Sequence, residues 1–310
     1  MADILITEFI DAPALKKLQN DFDVVYDATL VDKPDEAARL IVGCPALIVR
    51  NRTQVRGSLL AHADALKVVG RLGVGLDNID LSLCKERGIT VFPATGANAI
   101  SVAEYVLCGV LTMIRGCYGD SASVASGQWP RTRQMGGEAY GKTLGLFGFG
   151  AIAREVALRA GVFGMRLVAC DPILPAGDPA WQKYGVERLS MEELLRVSDV
   201  VSLHVPLTEE TRHIFNAGTL SKMRKGAFLI NTARGGIVDE VALATALADG
   251  SLGGAFVDVF ENEPLQAGSP LAGAPNCVLT AHIAGVTRES NTRVCNMIAD
   301  KVSAFLKEKS

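Results

Sequence analysis

Short apolar runs alternate along this chain with stretches whose apolar positions recur at helical spacing. Up to residue 98 the runs are Ile4–Ile6, Val24–Tyr26, Ala46–Val49, Lys67–Val69 and Thr90–Phe92. Between them, Ala12–Gln19 and Asp35–Ile41 carry the three- and four-residue repeat of amphipathic helices. This rhythm predicts an open α/β domain with a mainly parallel sheet. It resumes after residue 141. Thr143–Phe147, Arg166–Cys170, Val200–Leu203, Ala227–Asn231, Gly254–Asp258 and Cys277–Thr280 read as strands. Helices are expected over about Ile152–Val162, Asp239–Asp249 and Arg288–Lys307, and Ser190-x-x-Glu193 caps a short one.

Two stretches break the rhythm. Ser101-x-x-Glu104 reads as a capping box opening a helix from Ser101 to Arg115. That helix is apolar on nearly every side, so it is expected to be buried all round, crossing between domains and lying in a subunit interface. The following segment, 119–141, is polar, rich in turns and too long for an ordinary connection; it reads as an arm packing on a partner subunit. The pattern therefore predicts two doubly wound α/β domains. A substrate-binding domain takes residues 1–98 and 286–310, closed by the last helix, and a Rossmann domain takes residues 99–285.

The second domain opens with Gly148-x-Gly150-x-x-Ala153 between a strand and a helix, the setting a dinucleotide fingerprint requires. Gly148 permits a tight turn, and Gly150 lets a pyrophosphate approach the backbone. Ala153 lets the helix pack on its strand. The next strand ends at Asp171, placed for the ribose hydroxyls of the adenosine half. A carboxylate there repels a 2′-phosphate and favours NAD over NADP. Arg166, just before it, is the cation that could soften that preference. In the first domain, Gly73 and Gly75 follow the fourth strand and Arg71. They form either a plain αβ turn or a backbone cradle for an anion.

Composition narrows the function. A net charge of −3 gives no bulk attraction to nucleic acid or membranes. No apolar run has the length of a membrane span, and Met-Ala-Asp-Ile-Leu-Ile opens a strand rather than a secretion signal. Seven cysteines without a C-x-x-C pair read as reduced thiols, which fits a cytoplasmic protein. No cluster has metal-ligand spacing, and nothing resembles a hydrolytic nucleophile motif.

Three candidate catalytic groups follow successive strands of the second domain: Arg234, Glu263 and His282. Hydride chemistry on a hydroxy acid needs these types. An imidazole takes the hydroxyl proton, and a carboxylate on its other nitrogen fixes the tautomer. A guanidinium fork grips the substrate carboxylate. Of the other histidines, His62 reads as solvated, His213 as structural and His204 as lining a cofactor cleft.

On these residues the chain resembles the D-isomer-specific 2-hydroxyacid dehydrogenases over essentially its whole length. The resemblance is carried by Gly148–Ala153, His204-Val-Pro-Leu207, Asn231–Glu240, Asp258-Val-Phe-Glu-Asn-Glu-Pro264 and Ala281-His-Ile-Ala-Gly285. It implies a homodimer, a flavodoxin-like first domain split by the Rossmann domain, and NAD in the cleft. His282 would be acid/base, Glu263 its partner and Arg234 the substrate clamp. Cofactor contacts are implied at Val74, Ala151, Ile152, Asp171, Val205, Pro206, Thr232, Ala233, Asp258, His282 and Gly285. Val49-Arg-Asn-Arg-Thr53, Gly70–Asp80 and Gly127-Gln-Trp-Pro-Arg131 look most like the 3-phosphoglycerate dehydrogenase branch. There Arg50, Arg71 and the partner's Arg131 would hold a second anion. The chain lacks that branch's C-terminal regulatory domains and has Val74 where a threonine is frequent, so a sulfonate could replace phosphate, as in (S)-sulfolactate dehydrogenases. Hydroxypyruvate or glyoxylate reduction, phosphite oxidation and a non-catalytic NAD(H) sensor are the alternatives. Glu263 argues against a formate enzyme, in which that partner is replaced.

Overall fold

A computed structural model describes residues 2–116 and 121–308. Cys117 and the start of the expected arm, residues 119 and 120, lie outside the described residues. The chain divides into two compact units, residues 1–98 with 286–310, and residues 99–285.

The first unit runs β1 (Ile4–Ile6), α1 (Ala12–Gln19), β2 (Val24–Tyr26), α2 (Pro34–Leu40), β3 (Ala46–Val49), α3 (Gly57–His62), β4 (Val68–Arg71), α4 (Leu81–Glu86) and β5 (Thr90–Pro93). The second runs α5 (Ala99–Arg115), α6 (Ser121–Ala125), β6 (Thr143–Phe147), α7 (Ala151–Val162), β7 (Arg166–Cys170), α8 (Pro179–Lys183), β8 (Glu187–Arg188), α9 (Met191–Val197), β9 (Val200–Leu203), α10 (Ala217–Leu220), β10 (Ala227–Asn231), α11 (Glu240–Ala248), β11 (Leu252–Val257) and β12 (Cys277–Leu279). Helix α12 (Arg288–Glu308) returns the chain to the first unit.

Every pairing is parallel. The first sheet has the order β2-β1-β3-β4-β5, the flavodoxin arrangement. Helix α12 covers one of its faces, where Val294, Ile298 and Val302 join Ile4, Ile48 and Val68. The second sheet has the order β12-β11-β10-β9-β6-β7-β8, a doubly wound sheet that reverses between β6 and β9. Its strands read as continuous apolar runs because both faces are covered: Leu144 and Leu146 belong to one core, Phe147 and Val201 to another.

One expectation changes. Helix α5 begins at Ala99, so Ser101 lies in its first turn, 5% exposed, rather than at its N-cap. Ala99 is itself buried, and its packing extends the helix past the polar signal. Within the single chain α5 is not covered all round, as expected for a helix lying in a subunit interface. Glu104 and Cys108 are exposed and Leu111, Thr112 and Met113 half-buried, leaving an open stripe. The segment after it folds back on the helix end, with Gly137 N–H donating to the Ile114 carbonyl at 2.9 Å. It leaves Trp129 76% and Met135 80% exposed.

Candidate active site

Parallel strands bring their following loops to one edge of each sheet. In the second unit that edge carries Gly148 after β6, Asp171 after β7, His204 after β9, Thr232–Arg234 after β10, Asp258 and Glu263 after β11, and His282 and Gly285 after β12.

The fingerprint sits where the strand order reverses, the usual ligand position in open α/β sheets. Gly148 has φ +93°, and a Cβ there would lie 2.7 Å from the His204 carbonyl oxygen. Any side chain would push β6 away from the β9 loop. At Gly150 the opposite holds: an added Cβ meets nothing within 4 Å. Gly150 also starts α7 without a side-chain cap, so the helix offers its first N–H groups and its positive dipole end to an anion. Ala151 and Ile152 form that first turn.

Asp171 accepts the N–H groups of Phe149, Ile173 and Leu174 at 2.8, 2.9 and 3.0 Å. Burial alone would raise its pKa; these bonds and nearby Arg154 hold it below the ordinary value, so it stays charged. Arg166 does not soften that charge. It begins β7, a strand length of about 16 Å away, and pairs with Glu187 at 2.7 Å. His204 Nε2 and Thr232 Oγ1 are buried without a protein partner. Burial pushes the His204 pKa down to about 3, so it is a neutral donor or acceptor. An open Gly150, an uncapped helix and two unpartnered polar atoms among the expected contacts fit NAD.

His282 Nδ1 lies 2.7 Å from Glu263 Oε2. Glu263 Oε1 accepts the Phe260 N–H at 3.1 Å. Partial burial would raise the Glu263 pKa, but His282, the Phe260 amide and Arg234 bring it below its ordinary value. The carboxylate therefore stays ionised and holds the imidazole with Nδ1–H inward and Nε2 free. Arg234 leaves a turn fixed by the buried Asn231 side chain, which donates to the Arg234 carbonyl at 3.0 Å and accepts from Ala233 N–H at 3.1 Å. Val205 and Pro206 follow His204 at the same edge. His213 pairs with Glu261 at 2.9 Å and His62 with the Ser58 carbonyl at 2.8 Å, both exposed.

In the first unit, Arg50 follows β3 in a loop built around Glu8. This carboxylate, only 5% exposed, accepts the N–H groups of Arg50 and Thr53 at 2.9 Å each. Asn78 donates to the carbonyls of Arg50 and Thr53 at 3.1 and 2.7 Å. The Arg50 guanidinium reaches Asn291 at 2.6 Å and lies over the Phe9 ring. Arg71 curls over the turn of Gly73, Val74 and Gly75, its Nη1 lying 1.4 Å from where a Gly73 Cβ would be. Arg131 lies on the exposed segment after α6. Asn78 and Asn231 stand in the sequence motifs without a role, and Glu8 in none of them. For Glu8 and Asn231 the signal was only a polar residue at or just past a strand end, which is common, and for Asn78 only one in the loop before α4.

The matches to known proteins agree with this geometry. Residues 107–284 match the model of the D-isomer specific 2-hydroxyacid dehydrogenase, NAD binding domain. The chain belongs to that family. It is thus an NAD-dependent oxidoreductase built on two parallel-sheet α/β units. It is 54% identical to an (S)-sulfolactate dehydrogenase of Chromohalobacter salexigens over 99% of both chains. It is 37% identical to a D-3-phosphoglycerate dehydrogenase of Bacillus subtilis over 99% of this chain, but spans only 57% of that protein. The structure of a D-lactate dehydrogenase from Aquifex aeolicus, complexed with NAD and lactic acid, superposes with a TM-score of 0.84 at 29% identity, covering 98% of this chain and 96% of that one.

Proposed function

We propose that this chain interconverts (S)-3-sulfolactate and its 2-keto acid. The observation that carries the chemistry is the pairing of His282 with a charged Glu263 beside Arg234. Two things support the substrate: the 54% identity over nearly full length to a sulfolactate dehydrogenase, and the pair of arginines, Arg50 and Arg71, in the first unit. The hand fits the family too. Sulfur outranks oxygen in naming, so (S)-sulfolactate has the spatial arrangement of D-lactate.

NAD, when bound, supplies the acceptor for the hydride of the carbinol carbon. Gly148, Gly150, Ala151 and Ile152 would hold its pyrophosphate and Asp171 its ribose. Val74, His204, Val205, Pro206, Thr232, Ala233, Asp258 and Gly285 would line the remainder. Arg234 and the Gly73–Gly75 backbone bind the substrate carboxylate, while Arg50 and Arg71 bind the sulfonate, assisted by Arg131 of the partner subunit. His282 Nε2 takes the hydroxyl proton, because Nδ1 is engaged by Glu263. The imidazolium that forms is stabilised by that carboxylate.

The same reading makes the protein a homodimer. The open stripe of α5 borders a groove of about 550 Å³ lined by Leu107, Cys108, Leu111 and Phe163, and a second copy would cover it together with the 119–141 arm. Six unpaired cysteines among the described residues suit a cytoplasmic setting.

The test of the catalytic assignment is His282→Gln. Turnover of sulfolactate should fall ~10²–10⁴-fold, the usual share of acid–base catalysis, with NADH affinity little changed. Near-normal turnover would remove His282 from the mechanism.

A further inference from the structure

The loop that presents His282 is folded around a buried carboxylate. Asp258 is fully buried. Its Oδ1 accepts the Thr280 hydroxyl at 2.6 Å and the Ile283 N–H at 2.8 Å, and its Oδ2 accepts the Ala284 N–H at 2.8 Å. The His282 N–H donates to the Asp258 carbonyl at 2.8 Å. Within this ring of bonds His282 itself has φ +54°, a left-handed conformation that a non-glycine residue keeps only when its surroundings impose it.

The ring extends to α5. The Tyr105 hydroxyl is hydrogen-bonded to Thr280 Oγ1. The direction of the chain follows from chemistry. A carboxylate only accepts, so the single Thr280 proton goes to Asp258, and Tyr105 must donate to the Thr280 oxygen. Burial pushes the Tyr105 phenol up, which keeps it a donor. Its ring is fixed edge-on against Phe256 of β11, centroids 5.3 Å apart.

We propose that Tyr105 and Thr280 are positioning residues. They clamp the Asp258-centred loop and so keep the His282 imidazole aligned on Glu263 for proton transfer. This rests on the dehydrogenase reading for its kinetic consequence but not for its structural one. Asp258 grips the loop on both sides of His282, at Thr280 and at Ile283–Ala284. Removing the Thr280 tie frees one side, so the imidazole samples orientations from which the proton cannot pass. Substrate affinity, set by the arginines, does not depend on that alignment.

The experiment is a double-mutant cycle of Tyr105→Phe and Thr280→Val, with Thr280→Ser as the conservative variant. At saturating sulfolactate, kcat should fall ~3–10-fold in Y105F and ~10–50-fold in T280V, the scale of a misaligned reacting group. The double variant should match T280V alone, because both act through one chain. KM for sulfolactate should stay within about twofold in all variants, and T280S should recover most of kcat. Additive losses, or losses confined to KM, would overturn the relay. Hydrogen exchange over residues 280–285 separates the two levels. T280V should exchange this segment at least ~10-fold faster than the parent chain whatever the substrate. Unchanged exchange removes the clamp. Faster exchange in a chain that turns over no hydroxy acid leaves the clamp and removes the dehydrogenase reading instead.

Discussion

At the scale of single residues, charge states are set by what surrounds each group. His204 and His282 are both imidazoles at strand ends of one sheet, yet only His282 has a carboxylate partner. His204 has a buried Nε2 without a partner, and burial holds its pKa near 3. That depression has a definite sign. Between the unfolded value of about 6.5 and 3, the unfolded chain binds a proton that the folded chain refuses. His204 therefore costs no stability above pH 6.5 and progressively more as pH falls toward 3. His204→Gln should flatten the acid-side loss of urea resistance over that window. Parallel curves for parent and variant would show that His204 is not held neutral. The His282–Glu263 pairing was legible in the sequence because its residue types and strand-end positions suit the expected chemistry. Glu8 and the Tyr105–Thr280 chain were not, since their partners lie far away in sequence and only packing brings them together; the bonds of Asn231 are local, but only the backbone turn after β10 reveals them.

At the scale of elements, parallel strands made the fold legible. A strand buried on both faces must be a continuous apolar run, so all eleven of the runs stand within a residue or two of their expected places. Helix α5 was misread at its start because a buried Ala99 outweighed a polar cap signal. Its open stripe within the single chain is where the proposed second copy would sit. The fingerprint turn gives the sharpest test at this scale, since its glycines serve opposite needs. Gly148→Ala should destabilise by about 1–3 kcal/mol, from the left-handed backbone and the clash with the His204 carbonyl. Gly150→Ala has room and should leave stability within ~0.5 kcal/mol, while raising the KM for NAD roughly tenfold, as one obstructed contact of ~1.4 kcal/mol does. Thermal unfolding beside NAD titration separates the two. Equal behaviour of the variants would contradict the assignment of Gly150 to the pyrophosphate.

At the scale of the whole molecule, the chain folds as two compact units. The open stripe of α5 predicts self-association: light scattering should give twice the 32.8 kDa of the chain. Leu111→Glu, which puts a charge in the groove, should return it to a single copy. A parent chain that stays monomeric at micromolar concentration would leave the groove to another occupant. The central claim is that the arginines of the first unit select a second anion, and one comparison tests it most directly. This is kcat/KM for (S)-sulfolactate, 3-phosphoglycerate, D-glycerate and D-lactate, measured in the parent chain and in Arg50→Gln. Sulfolactate should exceed D-lactate by well over ~100-fold, since a buried charged contact is worth ~2–5 kcal/mol, and Arg50→Gln should erase much of that margin. Equal rates on sulfolactate and D-lactate, or a margin that survives Arg50→Gln, would contradict the claim and leave only the family's general chemistry.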